Sequence, residues 1–196
     1  PIRPQVMNDV ILGAKHIMDL NGFDHMLFLL ALAAAFDLSK VWRMILLATA
    51  FTIGHSITLF LAGMDLVRAS RDWVEFLITV SIVFMAIAST IGISIANKNS
   101  KYSKATYAVT VFFGLIHGLG FSSFFRVAAD RGEGIILPLL KFNLGVEIGQ
   151  IIILLIALSL FSLGRSFGVS VRSQQIFIGG MTLGLSAIMA LEKLPL

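Results

Sequence analysis

Six stretches of the chain, residues 24–36, 42–62, 73–96, 107–125, 135–163 and 175–191, are almost free of charge and alternate with short polar segments. The hydrocarbon core of a bilayer, roughly 30 Å thick, takes about 20 apolar residues of helix, so this pattern predicts six transmembrane helices. The first stretch is short for a crossing, which extends its helix through Ser39 or starts it before Phe23. Ahead of it, residues 6–20 set Val6, Val10, Ile11, Ala14, Ile17 and Met18 at a helical period against Asn8, Asp9, Lys15 and Asp19. One apolar and one polar side suit an N-terminal interfacial or half-inserted helix. The expected fold is an all-α polytopic membrane protein, a single transmembrane domain over residues 1–196, with no internal repeat, Pro-rich linker or low-complexity run.

Composition agrees with that pattern. The chain is 57% hydrophobic and 13% charged, against roughly 45–50% and about 25% in soluble domains, and its mean hydropathy is +0.92. Disordered, nucleic-acid-binding and ordinary cytosolic readings are excluded, since each needs a charged surface. The absence of cysteine excludes disulfide scaffolds, thiolate zinc sites, iron–sulfur clusters and cysteine nucleophiles. The net charge of +4 is carried by loops, where basic residues act as orientation signals. Lys40, Arg43, Lys98, Lys101, Lys104, Arg165 and Arg172 fall on one side with Asp37 as their one acid; Arg68, Arg71, Arg126, Arg131 and Lys141 fall on the other among Asp65, Asp72, Glu75, Asp130 and Glu133. The first side is therefore expected to be cytoplasmic, with both termini outside. The chain starts at Pro1 without a basic-then-apolar leader, as after signal-peptide cleavage or excision from a longer chain.

Ionisable groups inside a span cost about 2.5–3.5 kcal/mol each at the bilayer centre unless paired, hydrated or metal-bound, so each is a functional candidate. All four histidines qualify: His16 and His25 flank the start of the first span, His55 lies within the second and His117 within the fourth. Asp24 precedes His25, and Glu147 lies within the fifth span. At about 1.5 Å of rise per residue, these groups fall at one level between the bilayer middle and its outer boundary. Small and amide residues accompany them: Thr52, Gly54 and Ser56 around His55, Gly114, Gly118 and Gly120 around His117, and Asn143, Gly145, Gly149 and Gln150 around Glu147. Asn143, Glu147 and Gln150 share one helix face, which must look inward. Ser56, Asn143 and Gln150 are expected to line the cavity behind the ligands.

Several imidazoles with one or two carboxylates suit Zn, Ni or Co, whereas Mg or Ca would favour oxygen alone. His25, His55 and His117 are the leading ligand candidates. Asp24 either ligates or orients His25; Glu147 ligates, carries protons or acts as a general base; His16 completes the set. The methionines read as core filler, and Asp19 and Asn21 as solvated turn residues.

The stretches Gly13-Ala14-Lys15-His16-Ile17, Gly22-Phe23-Asp24-His25-Met26-Leu27-Phe28-Leu29-Leu30, Phe51-Thr52-Ile53-Gly54-His55-Ser56-Ile57-Thr58-Leu59, Val74-Glu75-Phe76-Leu77-Ile78, Phe113 to Phe121, and Phe142-Asn143-Leu144-Gly145-Val146-Glu147-Ile148-Gly149-Gln150 together resemble the HupE/UreJ family, in particular its broad second branch. The resemblance runs in order from about residue 12 to residue 150. Two features depart from it: the longer interval from His16 to Asp24, and Ser89-Thr90 ending the third span where an acid or amide is expected. It implies a multi-span protein of the bacterial inner membrane, a hydrogenase or urease accessory factor regarded as a nickel or cobalt permease. The implied partners are the lipid bilayer and the metal ion, with a second copy of the chain or a metalloenzyme-maturation protein left open; nucleic acid is not expected. The alternative is a zinc-dependent intramembrane hydrolase acting on a lipid or membrane-anchored peptide, with His25, His55 and His117 holding Zn and Glu147 or Asp24 as base. A structural subunit of a larger assembly is a third reading, in which the histidines would tolerate replacement.

Overall fold

The computed structural model of the protein describes residues 4–19, 22–34, 36, 38–91, 103–121 and 134–195. Among these residues every regular element is helical: α1 (Pro4–Ile17), α2 (Asp24–Ala33), a single 3-10 turn at Leu38–Lys40, α3 (Val41–Gly63), α4 (Arg71–Ile91), α5 (Ser103–Gly120), α6 (Ile136–Ser166) and α7 (Val171–Glu192). Helices α3, α4, α6 and α7 are long and apolar enough to cross a membrane. The chain is a helical membrane protein, and four of the six expected spans have this length and composition. The expected continuations of α4 to Ala96 and of α5 to Phe125 lie outside the described residues, as do Asn21, Asp37, Lys98, Lys101, Arg126, Asp130, Arg131 and Glu133.

The first expected span is different in kind. Helix α2 has ten residues, about 15 Å of rise, half of what the hydrocarbon layer requires. Its apolar character serves burial in protein: His25, Leu27, Phe28, Leu29, Ala31, Leu32 and Ala33 are all buried. An all-round apolar helix is the pattern of a core helix as much as of a lipid-facing one. Leu27, Phe28, Leu29 and Leu32 join Phe51 of α3, Ile82 of α4 and Phe142 of α6 in a continuous core. Outside it, Trp42, Phe84, Phe112, Leu160 and Phe177 are more than half exposed, an apolar exterior suited to lipid. His55, Thr79, Ser81, His117 and Gln150 are buried almost completely, so apolar groups face out and polar groups face in.

Glycines let three helix pairs touch backbone to backbone. A Cβ on Gly54 of α3 would collide with the Val111 carbonyl of α5, and one on Gly114 of α5 with the Phe51 carbonyl of α3. The same reciprocal contact joins α1 to α6: Gly13 lies against the Phe142 carbonyl and Gly145 against the Val10 carbonyl. Gly179 of α7 sits on Ala86 and Thr90 of α4. Between apolar helices in lipid, close packing replaces the hydrophobic effect as the associating force, and small residues permit it. Helix α1, expected at the interface, is thus clamped along α6, with Ile17 fully buried, Lys15 exposed and Asp9 3.9 Å from Lys141. At the other end of α6, Gly168 takes φ +90°, a conformation that stops the helix. Ser170 then accepts from the Ser173 amide at 3.0 Å to start α7.

Enlarging these glycines should therefore overpack the bundle. Gly54→Leu and Gly145→Leu are expected to destabilise the protein by at least about 1–3 kcal/mol, read as a lowered thermal unfolding midpoint in detergent. Gly184→Leu, where an added Cβ meets nothing within 4 Å, should leave that midpoint unchanged.

Candidate metal centre

Each imidazole is delivered by one of the features just described. His16 lies in the last turn of α1, three residues beyond Gly13, and His25 lies in the first turn of α2. Their ring centroids are 4.8 Å apart. His55 follows Gly54 at the α3/α5 crossing, and His117 lies between Gly114 and Gly118 on the facing helix. The His25 ring stands 4.9 Å from that of His117 and 6.1 Å from that of His55, and the His16 ring 5.8 Å from that of His55. Four imidazoles from four helices thus share one chamber. Phenylalanines wall it: Phe121 lies 4.4 Å from His16, Phe51 lies 5.0 Å from His117, and Phe142 stacks on Phe121 at 5.1 Å.

Donor atoms of His16, His25 and His55 all lie within 4.8 Å of one another. Together these three can hold a metal ion. Nitrogens sharing a tetrahedral zinc-type centre are about 3.3 Å apart, given metal–nitrogen bonds of about 2.0–2.1 Å, so the rings are near binding distance without being drawn to a single point. The hydrogen-bond accounting points the same way. Among the described residues, Nε2 of His16, both nitrogens of His25, both of His55 and Nδ1 of His117 are buried without a hydrogen-bond partner. Buried polar atoms are normally satisfied, and an orphan costs about 1–3 kcal/mol. Such a concentration on rings that face one another fits a bound cation, and imidazole selects a borderline transition metal.

The structure distributes the sequence candidates unequally. Among the described residues, the mutually close set is His16, His25 and His55, with His16 where the sequence favours His117. The longer interval from His16 to Asp24 does not separate His16 from the others, since its ring stays 4.8 Å from that of His25 and 5.8 Å from that of His55. His117 reaches the group through its ring contact with His25, and its Nε2 lies 2.9 Å from Ser81 Oγ. Asp24 Oδ1 lies 3.6 Å from His25 Nδ1, close enough to orient the ring with a small adjustment.

Glu147 is held in a neighbouring polar group. Thr49 donates to Glu147 Oε1 at 2.5 Å, and Thr52 donates to Gln150 Oε1 at 3.1 Å, tying α3 to α6. Among the described residues Glu147 Oε2 and Asn143 Oδ1 are buried without hydrogen-bond partners, and Asn143 lies beside His55. Ser56 donates to the Thr52 carbonyl of its own helix at 2.6 Å. Sequence reasoning passes over Thr49 and Ser81. Their signal is a hydroxyl within an apolar span, faint because such hydroxyls commonly bond the carbonyl one turn back.

The mouth of the bundle on the Asp24 side carries acids. The start of α4 and the end of α7 enclose a cleft of about 260 Å³ lined by Asp72, Glu75, Glu192, Lys193, Leu194 and Pro195. Lys193 Nζ lies 3.6 Å from Glu75 Oε2 and within electrostatic reach of Asp24.

Comparison with known proteins supplies the remaining information. No solved structure matches the chain. The urease accessory protein UreH of Bacillus sp. (strain TB-90) is 26% identical over 133 residues, which cover 58% of this chain and 56% of that protein. The matched region therefore spans just over half the relative's length. The model of the family described as HupE / UreJ protein matches residues 2–192, and the chain belongs to that family.

Proposed function

We propose that the protein is a permease for a divalent transition metal, of the nickel or cobalt type, with His16, His25, His55 and His117 forming the site through which the ion passes. The carrying observation is the set of buried, partnerless imidazole nitrogens facing one another from four helices. An ion leaving water must have its hydration shell replaced, and neutral imidazoles do this in an apolar setting without themselves bringing charge. Asp24 orients His25, in the way a carboxylate commonly supports a ligating histidine. The urease-accessory designation of the relative supports nickel as cargo and a metalloenzyme-maturation setting as destination.

The polar residues on either side of the chamber favour transport over hydrolysis. The acidic cleft and Asp24 lie at one end; Thr52 with Gln150 and Thr49 with Glu147 continue along α3 beyond His55 at the other. In this reading Glu147 and Asn143 receive the ion, or the compensating proton, after the imidazoles. The basic residues Lys40, Arg43, Arg165 and Arg172 face the cytoplasm of a bacterial inner membrane, both termini lie outside, and the whole chain acts as one domain.

Uptake of radioactive nickel into proteoliposomes tests this directly. His25→Ala and His55→Ala should each reduce uptake at limiting metal at least about tenfold, the lower range even for loss of a ligand's supporting partner. Equal uptake by wild type and both variants would overturn the permease reading. One equivalent of zinc retained through chelation, with no flux, would transfer the site to the hydrolase.

Glu147→Gln should keep nickel binding at the imidazoles, read by calorimetry in detergent, while slowing flux. Because protons and metal compete for the same lone pairs, nickel affinity should weaken as pH falls. The sign is fixed by proton release on binding, which calorimetry in buffers of different ionisation enthalpy measures.

A further inference from the structure

Helix α4 brings no ionisable group to the chamber, yet among the described residues it supplies the hydrogen-bond partner of the His117 ring. Ser81, 2% exposed, lies midway along α4, and its Oγ makes two contacts: 2.7 Å to the Ile78 carbonyl oxygen and 2.9 Å to His117 Nε2. A hydroxyl has one hydrogen, and a carbonyl oxygen accepts only. The hydrogen therefore goes to Ile78, and Ser81 meets the ring by accepting from Nε2–H. The opposite arrangement would leave two lone-pair-bearing oxygens 2.7 Å apart with no hydrogen between them. A neutral imidazole has a single N–H, so the lone pair of His117 is on Nδ1. That atom is buried and without a partner, on a ring 4.9 Å from His25 and packed against Phe28 and Phe51 at 5.8 and 5.0 Å.

We propose that Ser81 is a positioning residue that holds His117 as the Nε2–H tautomer and so makes Nδ1 a fourth imidazole donor to the ion held by His16, His25 and His55. The Ile78 carbonyl, the Ser81 hydroxyl and the His117 ring form a relay that fixes both the rotation of the ring and the nitrogen that is left open. Metal-ligating histidines are generally held this way by a partner on the other nitrogen. Only the affinity consequence rests on the permease reading; the tautomer is a property of the metal-free protein.

The test is nitrogen NMR of isotope-labelled histidine in the metal-free protein in bilayers, with the His117 signals assigned by their loss in His117→Gln. Wild type should show His117 as the Nε2–H tautomer. Ser81→Ala should give a mixture of tautomers and lower nickel affinity about 10–100-fold, with the signals of the other three histidines and the unfolding midpoint retained. Ser81→Thr, which keeps the hydroxyl, should restore both tautomer and affinity. An Nδ1–H His117 in wild type overturns the inference, even if nickel binds. An unchanged tautomer and affinity in Ser81→Ala overturns it as well. The expected tautomer in a wild-type protein that binds no nickel would instead remove the permease reading and leave the relay in place. If Ser81→Ala fails to fold, the wild-type and Ser81→Thr spectra still decide.

Discussion

The contact on which the structure depends is the reciprocal approach of glycine to carbonyl at the α3/α5 and α1/α6 crossings. Gly54 against Val111 and Gly114 against Phe51 bring two helix axes closer than any side chain would allow. His55 and His117 stand beside that contact, so their rings enter a space that larger neighbours would have filled. The second crossing does the same for His16, because Gly13 and Gly145 press α1 onto α6 and aim its last turn at α2. Placement of the imidazoles is therefore a product of backbone packing, and the short buried helix α2 supplies the remaining ring.

This packing creates a polar interior that the bundle must tolerate. Lipid outside offers no hydrogen bonds, so polar groups turn inward and most find a carbonyl one turn back, as Ser56, Thr58 and Thr110 do. The imidazole nitrogens make no such local bond among the described residues. Their unpaired atoms represent several penalties of about 1–3 kcal/mol apiece. A fold that keeps them together is one in which something else supplies the missing interaction.

The long spans were readable because lipid exposure and helical length leave an unmistakable hydropathy signal, and α3, α4, α6 and α7 follow it. Helix α2 shows where the signal fails. Burial in protein and burial in lipid select the same residues, so the stretch from Asp24 reads as a span although its helix stops at Ala33. The histidines were legible one by one from the rarity of ionisable groups in such a chain. Which of them would be nearest neighbours was not, because that depends on how separate helices pack, which periodicity does not encode. The separation of Glu147 from the imidazoles has the same origin: its depth along α6 matches theirs, but Thr49 holds its carboxylate. Ser81 was hidden because a lone serine in a span has the same local pattern whether or not it touches a ligand.

The spacing of the rings bears on how tightly such a chamber can hold an ion. Donor atoms that reach 4.8 Å apart must close to about 3.3 Å around a metal of zinc-like radius. The movement has to come from helices locked at glycine contacts or from α2, whose first turn carries His25 and Asp24 together. In the proposed permease, rigid crossings would resist contraction, so part of the ligation energy would go into drawing His25 toward its partners and would favour release. A permanent structural site would have its ligands already converged, with closed coordination and supported second nitrogens. Slack between the donors, with the oxygens of Gln150 and Glu147 further along the bundle, suits the proposed permease, whose ion is meant to leave.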